Sequence, residues 1–266
     1  MSASGSEAER RIWAAVPFKG PVGTKRRLAG LLDSDERARV SRAMLADVLH
    51  ALLGVPEIAR VLLLTPVGET DAESVQPLHG LPDDPRLTVL DEPPGLVGAG
   101  GVDGLNPALR QAQAVAAAAG ATHLLIVPAD LPLIQAADVA ALLASVAPAS
   151  SAPASPHRAA PGDGVVIAPD RTAGGTNALL LSPPDLFGPA FGEDSFEQHR
   201  ALAAKVGAVC TVVERPGLAL DLDTPADVLA LLSSHHDGRA VRLLRQLGMP
   251  ARLAQFGLAQ ARSATI

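Results

Sequence analysis

Short runs of Leu, Ile, Val and Ala alternate along this chain with longer stretches of helical spacing, and this alternation constrains the fold more than any single motif does. The apolar runs are Ile12 to Pro17, Val61 to Thr65, Leu87 to Leu90, His123 to Val127, Val165 to Ala168, Asn177 to Leu181, Val209 to Glu214 and Leu218 to Leu220. Each is too short for a buried helix and long enough for a buried strand. Between them lie helical stretches: Asp35 to Leu53, a helix opened by Asn106-Pro107 and closed at Gly120, Ala136 to Val146, Phe196 to Val206, and one opened by Thr224-Pro225. Asn or Thr at the cap followed by Pro at the first helical position is a helix-start signal. Strand and helix in alternation predict an α/β sandwich around a largely parallel sheet. Ligands of such sheets gather beyond the carboxyl ends of the strands, so the residues that follow each apolar run are the ones to weigh.

The chain divides into a polar tail over residues 1–10, one domain over 11–234, and a C-terminal helical extension over 235–266. A Pro/Ala/Ser-rich segment at 147–163 interrupts the domain as a flexible insertion, because strands resume directly after it. The net charge of −6 opposes nucleic-acid and anionic-membrane partners. Aromatic residues make up only 2% and Tyr is absent, so base-stacking platforms are not expected. The first residues lack a basic segment followed by an apolar one, and no apolar run is long enough to span a bilayer. With a single cysteine, Cys210, these features predict a cytoplasmic protein.

Four places could carry chemistry. Val16-Pro17-Phe18-Lys19 leads from the first strand into a Gly-containing loop that reaches Lys25, Arg26 and Arg27. Backbone N–H groups with basic side chains suit a polyphosphate, although a solvated basic turn has the same composition. Asp130 follows an apolar strand between two prolines, as a magnesium ligand or as a turn residue. Asp221 and Asp223 share one face if the strand before them continues, and two such carboxylates repel unless a cation joins them. Gly174-Gly175-Thr176-Asn177 and Phe191 to Ser195 combine small residues with a helix start, with Ser195 at the cap. His199, one turn on, could face the same anion; the bland alternative is an ordinary turn with a capped helix. No nucleophile motif of the hydrolase kind is present.

In order along the chain stand V-P-F-K and K-x-R-L-A (16–19, 25–29), G-L-N-P-A-L (104–109), P-A-D-L-P (128–132), G-G-T-N-A-L (174–179), F-G-x-x-S-x-x-x-H (191–199) and D-L-D-T-P-x-D (221–227). This set resembles the phospholactate guanylyltransferase family of coenzyme F-420 biosynthesis. The resemblance implies a three-layer αβα sandwich of the GT-A-like nucleotidyltransferase kind, with a mixed, mostly parallel sheet. It implies GTP, Mg²⁺ and a small phosphorylated acid: 2-phospho-L-lactate, phosphoenolpyruvate or 3-phospho-D-glycerate. By motif, Asp130, Asp221 and Asp223 hold the metal, and Lys25 joins them in catalysis. Thr176, Gly192, Ser195 and His199 meet the acid. Lys19, Lys25 and Arg27 face the triphosphate, while Gly104, Leu105 and Asn106 lie by the guanine and ribose. Hand-over of product to the next enzyme of the pathway and a homodimer are the partners this reading adds. A sugar-phosphate or molybdopterin nucleotidyltransferase, and a non-catalytic nucleotide-binding module, remain the alternatives. The segment around 96–103, the 147–163 insertion and the tail after 234 look additional to the family pattern.

Overall fold

The computed structural model describes residues 10–18, 25–65, 81–91, 102–146 and 163–263. Lys19 and the segments around 96–101 and 147–162 lie outside the described residues. Seven strands form one sheet: β1 (Ile12–Pro17), β2 (Ile58–Thr65), β3 (Leu87–Asp91), β4 (His123–Ile126), β5 (Gly164–Pro169), β6 (Thr176–Ser182) and β7 (Val209–Val212). Their order is β3-β2-β1-β4-β6-β5-β7. Only β6 runs against its neighbours, so the sheet is mixed and mostly parallel, as the resemblance implies.

The central strands are buried on both faces, which explains their unbroken apolar runs. In β1, Ile12, Ala14 and Val16 face one side and Trp13 and Ala15 the other. The first side is covered by α1 (Ser34–Leu53) and α3 (Ala136–Ala144), the second by α2 (Val102–Ala118) and α4 (Ser195–Val206). This is the three-layer αβα sandwich. Helix α1 starts at a reciprocal cap: Asp33 accepts from the Glu36 amide at 2.8 Å, and Glu36 accepts from the Asp33 amide at 3.1 Å. After β7 come α5 (Pro216–Ala219), α6 (Pro225–Ser233), α7 (Arg239–Gln246) and α8 (Met249–Ser263).

The strand order fixes the place of the ligand crevice. From β1 the chain moves outward to β2 and β3, then crosses to β4 on the other flank of β1. The carboxyl ends of β1 and β4 are neighbours in the sheet and both lead to helices on the same side, so the residues just beyond these two strand ends come together and line a crevice.

Three local expectations are corrected. Helix α2 begins at Val102, so Asn106 is not its cap and Pro107 lies inside it. The Asn106 amide is used elsewhere: it donates to the Phe191 carbonyl at 3.0 Å and accepts from the Phe191 amide at 2.8 Å. Residues Leu218 to Leu220 do not form a strand. Pro216 opens the short α5 there, the Leu218 carbonyl accepts from Asn177, and a single backbone bond, Leu222 to Asp130, joins the following loop to the end of β4. Ser195 is not the cap of α4 but its first residue; the cap position belongs to Asp194 in a left-handed conformation.

Among the described residues, no helix is long and apolar enough to cross a membrane.

Candidate active site

Phe18 after β1, Lys25, Asp130 after β4 and Asp223 after α5 meet at the crevice. Lys25 stands at the head of a 3-10 turn, Arg26–Leu28, with a left-handed backbone (φ 54°). Its ammonium donates to Asp130 Oδ2 at 2.7 Å and to Asp223 Oδ1 at 2.6 Å. The Lys25 side chain is 10% exposed, against 32% for Asp130 and 47% for Asp223. Burial alone would pull the lysine pKa down, yet the two carboxylate charges outweigh it and raise the pKa above the ordinary value. Lys25 is thus an ammonium at any neutral pH. The Asp221 carboxyl, by contrast, is pushed up to about 6, first by burial and then by the negative charge of Asp130.

Among the described residues, no group of three or more His, Cys, Asp or Glu side chains is arranged to hold a metal ion. The physical reason is that Asp130 and Asp223 are directed at the Lys25 ammonium. The sequence motifs assign Lys25 to a triphosphate and group the three carboxylates; in the structure the lysine stands between two of them, with Asp221 adjoining.

Asp223 is held by Asp227, the last residue of the D-L-D-T-P-x-D motif, to which the resemblance gives no role. Asp227, third residue of α6 and buried, accepts through Oδ2 from the Asp223 amide at 3.0 Å, the Thr224 amide at 2.7 Å and the Thr224 hydroxyl at 2.8 Å. Its other oxygen pairs with Arg171, from the turn between β5 and β6. The T-P-x-D spacing announces a capping box; the extra bond to Asp223 has no sequence signal.

Beside the charged cluster lies a cleft of about 270 Å³, walled by Phe18, Met44, Leu105, Pro128 and Phe191, with Lys25, Asp130 and Asp223 among its lining. Leu105 thus reaches the site, and Gly104 is buried next to it. Arg27 is exposed on the 3-10 turn.

Thr176, Gly192, Ser195 and His199 do come together. The Ser195 hydroxyl accepts from the Thr176 amide at 3.0 Å, and the Ser195 amide donates to the Gly192 carbonyl at 3.3 Å. Gly192 has φ 138°, a region closed to most side chains. His199 is fully buried, and both ring nitrogens have protein partners: Nε2 accepts from the Ala190 amide at 3.0 Å, so Nδ1 carries the proton toward Thr176 Oγ1 at 2.9 Å. Burial lowers its pKa to about 4. The expectation that His199 faces an anion is therefore corrected. A neutral ring with no free nitrogen orients Thr176 instead, and packs edge-on against Phe191 at 4.9 Å.

Residues 97–258 match the family described as "Guanylyl transferase CofC like", more than half of the chain. The chain belongs to this family. As a CofC-like guanylyl transferase it is a nucleotidyltransferase enzyme. The match runs past residue 234, over α7 and most of α8. A phosphoenolpyruvate guanylyltransferase of Rubrobacter xylanophilus is 39% identical over 84% of this chain and 94% of its own. A 2-phospho-L-lactate guanylyltransferase of Natrialba magadii is 34% identical, covering 88% and 91%. A 3-phospho-D-glycerate guanylyltransferase of Phenylobacterium zucineum is 31% identical, covering 88% and 95%. The fold is shared with a protein of Desulfovibrio desulfuricans G20 solved as a candidate nucleotide-diphospho-sugar transferase. There the identity is 18%, the TM-score 0.68, and the coverage 93% of this chain and 98% of the other.

Proposed function

We propose that this chain transfers GMP from GTP to a small phosphorylated acid, with phosphoenolpyruvate first among the candidates, and releases diphosphate as a step of coenzyme F-420 biosynthesis in the cytoplasm. The observation that carries the reading is the Lys25 ammonium clasped by Asp130 and Asp223 at the crevice between β1 and β4. Phosphoenolpyruvate leads because relatives at 39% and 37% identity carry that substrate in their names. The apolar cleft wall also suits an acid whose carbon end is a bare methylene.

The reaction joins two anions. A phosphate oxygen of the acid attacks the α-phosphorus of GTP, forming a P–O–P bond, and the bond to the β-phosphate breaks with its electron pair leaving on diphosphate. A phosphate monoester, with a second pKa of about 6, is already largely ionised at neutral pH, so no strong general base is required. The protein's task is to position the partners and to neutralise charge. Lys25 supplies one fixed positive charge. Thr176 and Ser195, locked by His199 and by each other, border the acid's place, next to Phe191. Gly104, Leu105 and Asn106 are assigned to the nucleotide side in this reading, and Lys19 and Arg27 are the basic residues it assigns to the triphosphate.

Mg²⁺ fits this donor set in chemistry: the hard oxygens of Asp130, Asp221 and Asp223 would hold it, and a cation there would offset the burial and the neighbouring Asp130 charge that raise the Asp221 pKa. Bound there, the metal would supply further neutralisation of phosphate charge.

The test is diphosphate release by purified protein with GTP and Mg²⁺, each of the three acids added separately and ATP and CTP as controls. Release with GTP and one acid is expected. Silence with all three, in protein shown to be folded, overturns the reading. Asp223→Ala should abolish release while leaving the fold intact.

A further inference from the structure

None of the chemistry above calls on α7 and α8, yet their packing ties them to both loops of the charged cluster. A single apolar cluster contains Leu28, Leu31 and Leu32 from the turn after Lys25, Leu220 and Leu222 from the acidic loop, and Ala240, Val241, Leu244 and Met249 from the two C-terminal helices. Leu222 is fully buried and stands between Asp221 and Asp223, so its anchoring sets where both carboxylates emerge. Helix α7 is fixed in turn to α1, since the buried Asp47 accepts from the Arg239 and Ala240 amides at 3.0 Å each.

Helix α8 grips the lysine side directly. Arg252 makes a two-pronged pair with Glu36, Nη1 to Oε2 at 2.7 Å and Nη2 to Oε1 at 2.8 Å, and Nη1 also donates to the Leu31 carbonyl at 3.1 Å. The Phe256 ring lies on Gly30 so closely that a Cβ there would stand 2.9 Å from Cε2. From Gly30 and Leu31 a short hydrogen-bonded turn leads back to Lys25, closing with the Leu28 amide on the Lys25 carbonyl at 2.9 Å. A lysine in the left-handed region is strained, and persists only where its surroundings over-determine it. Arg252 and Phe256 are the surroundings on this side.

We infer that Arg252 and Phe256 are positioning residues, which through Gly30, Leu31 and Glu36 hold Lys25 in register with Asp130 and Asp223. Helix α8 is then a working part of the site. The inference rests on the guanylyltransferase reading for its effect on turnover, and on geometry alone for its effect on the turn.

Two measurements on the full chain separate these. In Arg252→Gln and Phe256→Ala, amide hydrogen exchange of residues 26–32 should rise at least about tenfold while β1 and β4 keep their parental rates. In the same variants kcat/KM for GTP should fall at least about tenfold with KM for the acid within about twofold, and Arg252→Lys and Phe256→Leu should restore part of it. Parental exchange in 26–32 overturns the inference. So does exchange that rises uniformly across the sheet, since α8 would then only stabilise the fold. If the parent chain releases no diphosphate with any acid, the functional reading fails by itself, and the exchange result still decides whether α8 holds the turn.

Discussion

Replacing Asp227 by Asn keeps size and shape and removes only charge and one acceptor, and the structure dictates the consequence. The carboxylate accepts four bonds: three through Oδ2, from the Asp223 amide, the Thr224 amide and the Thr224 hydroxyl, and one through Oδ1 from Arg171. An amide has one oxygen and one NH₂ donor, so either orientation sets a donor against a donor. Turning NH₂ to Arg171 is the cheaper choice. A hydrogen bond to a charged group contributes about 1.5–3 kcal/mol, and the Arg171 side chain is 43% exposed, so water recovers part of the loss. The three remaining bonds weaken as their acceptor becomes neutral. The sum is about 2–3 kcal/mol, a fall in Tm of roughly 5–10 °C for a domain of this size. The loop carrying Asp223 loses its anchor, and a displacement of about 1 Å at a reacting centre costs on the order of a hundredfold in turnover. Thermal unfolding and diphosphate release from the same preparation check both numbers. A Tm within about 1 °C of the parent, with turnover within about twofold, would refute the idea that Asp227 anchors Asp223.

Three further outcomes follow from the site. Lys25→Met should reduce turnover at least about a hundredfold, because the cleft loses the positive charge held between Asp130 and Asp223; turnover within about tenfold of the parent removes Lys25 from the mechanism. His199 has a folded pKa of about 4 against 6.5 for the free group, so the unfolded chain binds the proton first. Its contribution is fully present above pH 6.5 and is lost as pH falls through 4, a swing of about 3 kcal/mol at most. Urea unfolding at pH 7 and pH 4.5 should show a loss that His199→Asn lacks, and an equal loss in both proteins contradicts the assignment. Ser195→Ala frees the Thr176 amide, and should raise KM for the acid about tenfold with KM for GTP little changed; the reverse pattern in steady-state kinetics would move Ser195 to the nucleotide side.

Much of this protein is legible from the order of its residues. Apolar runs and helical spacing depend on near neighbours, through strand and helix periods, so the elements and the α/β class follow from the sequence. The rule that ligands sit beyond strand ends then directs attention to Lys25, Asp130 and Asp223 before any coordinates exist. What could not be read is the contact between loops 105 and 198 residues apart, in which the lysine stands between the carboxylates. Nor could the neutral, fully partnered state of His199 be read, since a motif spacing carries no burial. The cap at Asn106 and the strand at Leu218 failed for the same reason: Phe191 and Asn177 compete for those groups from distant parts of the chain. Local sequence determined which elements form and which residues end them. Only the strand order, a product of long-range pairing and a shared apolar core, decided which of those ends meet and which helices hold them there.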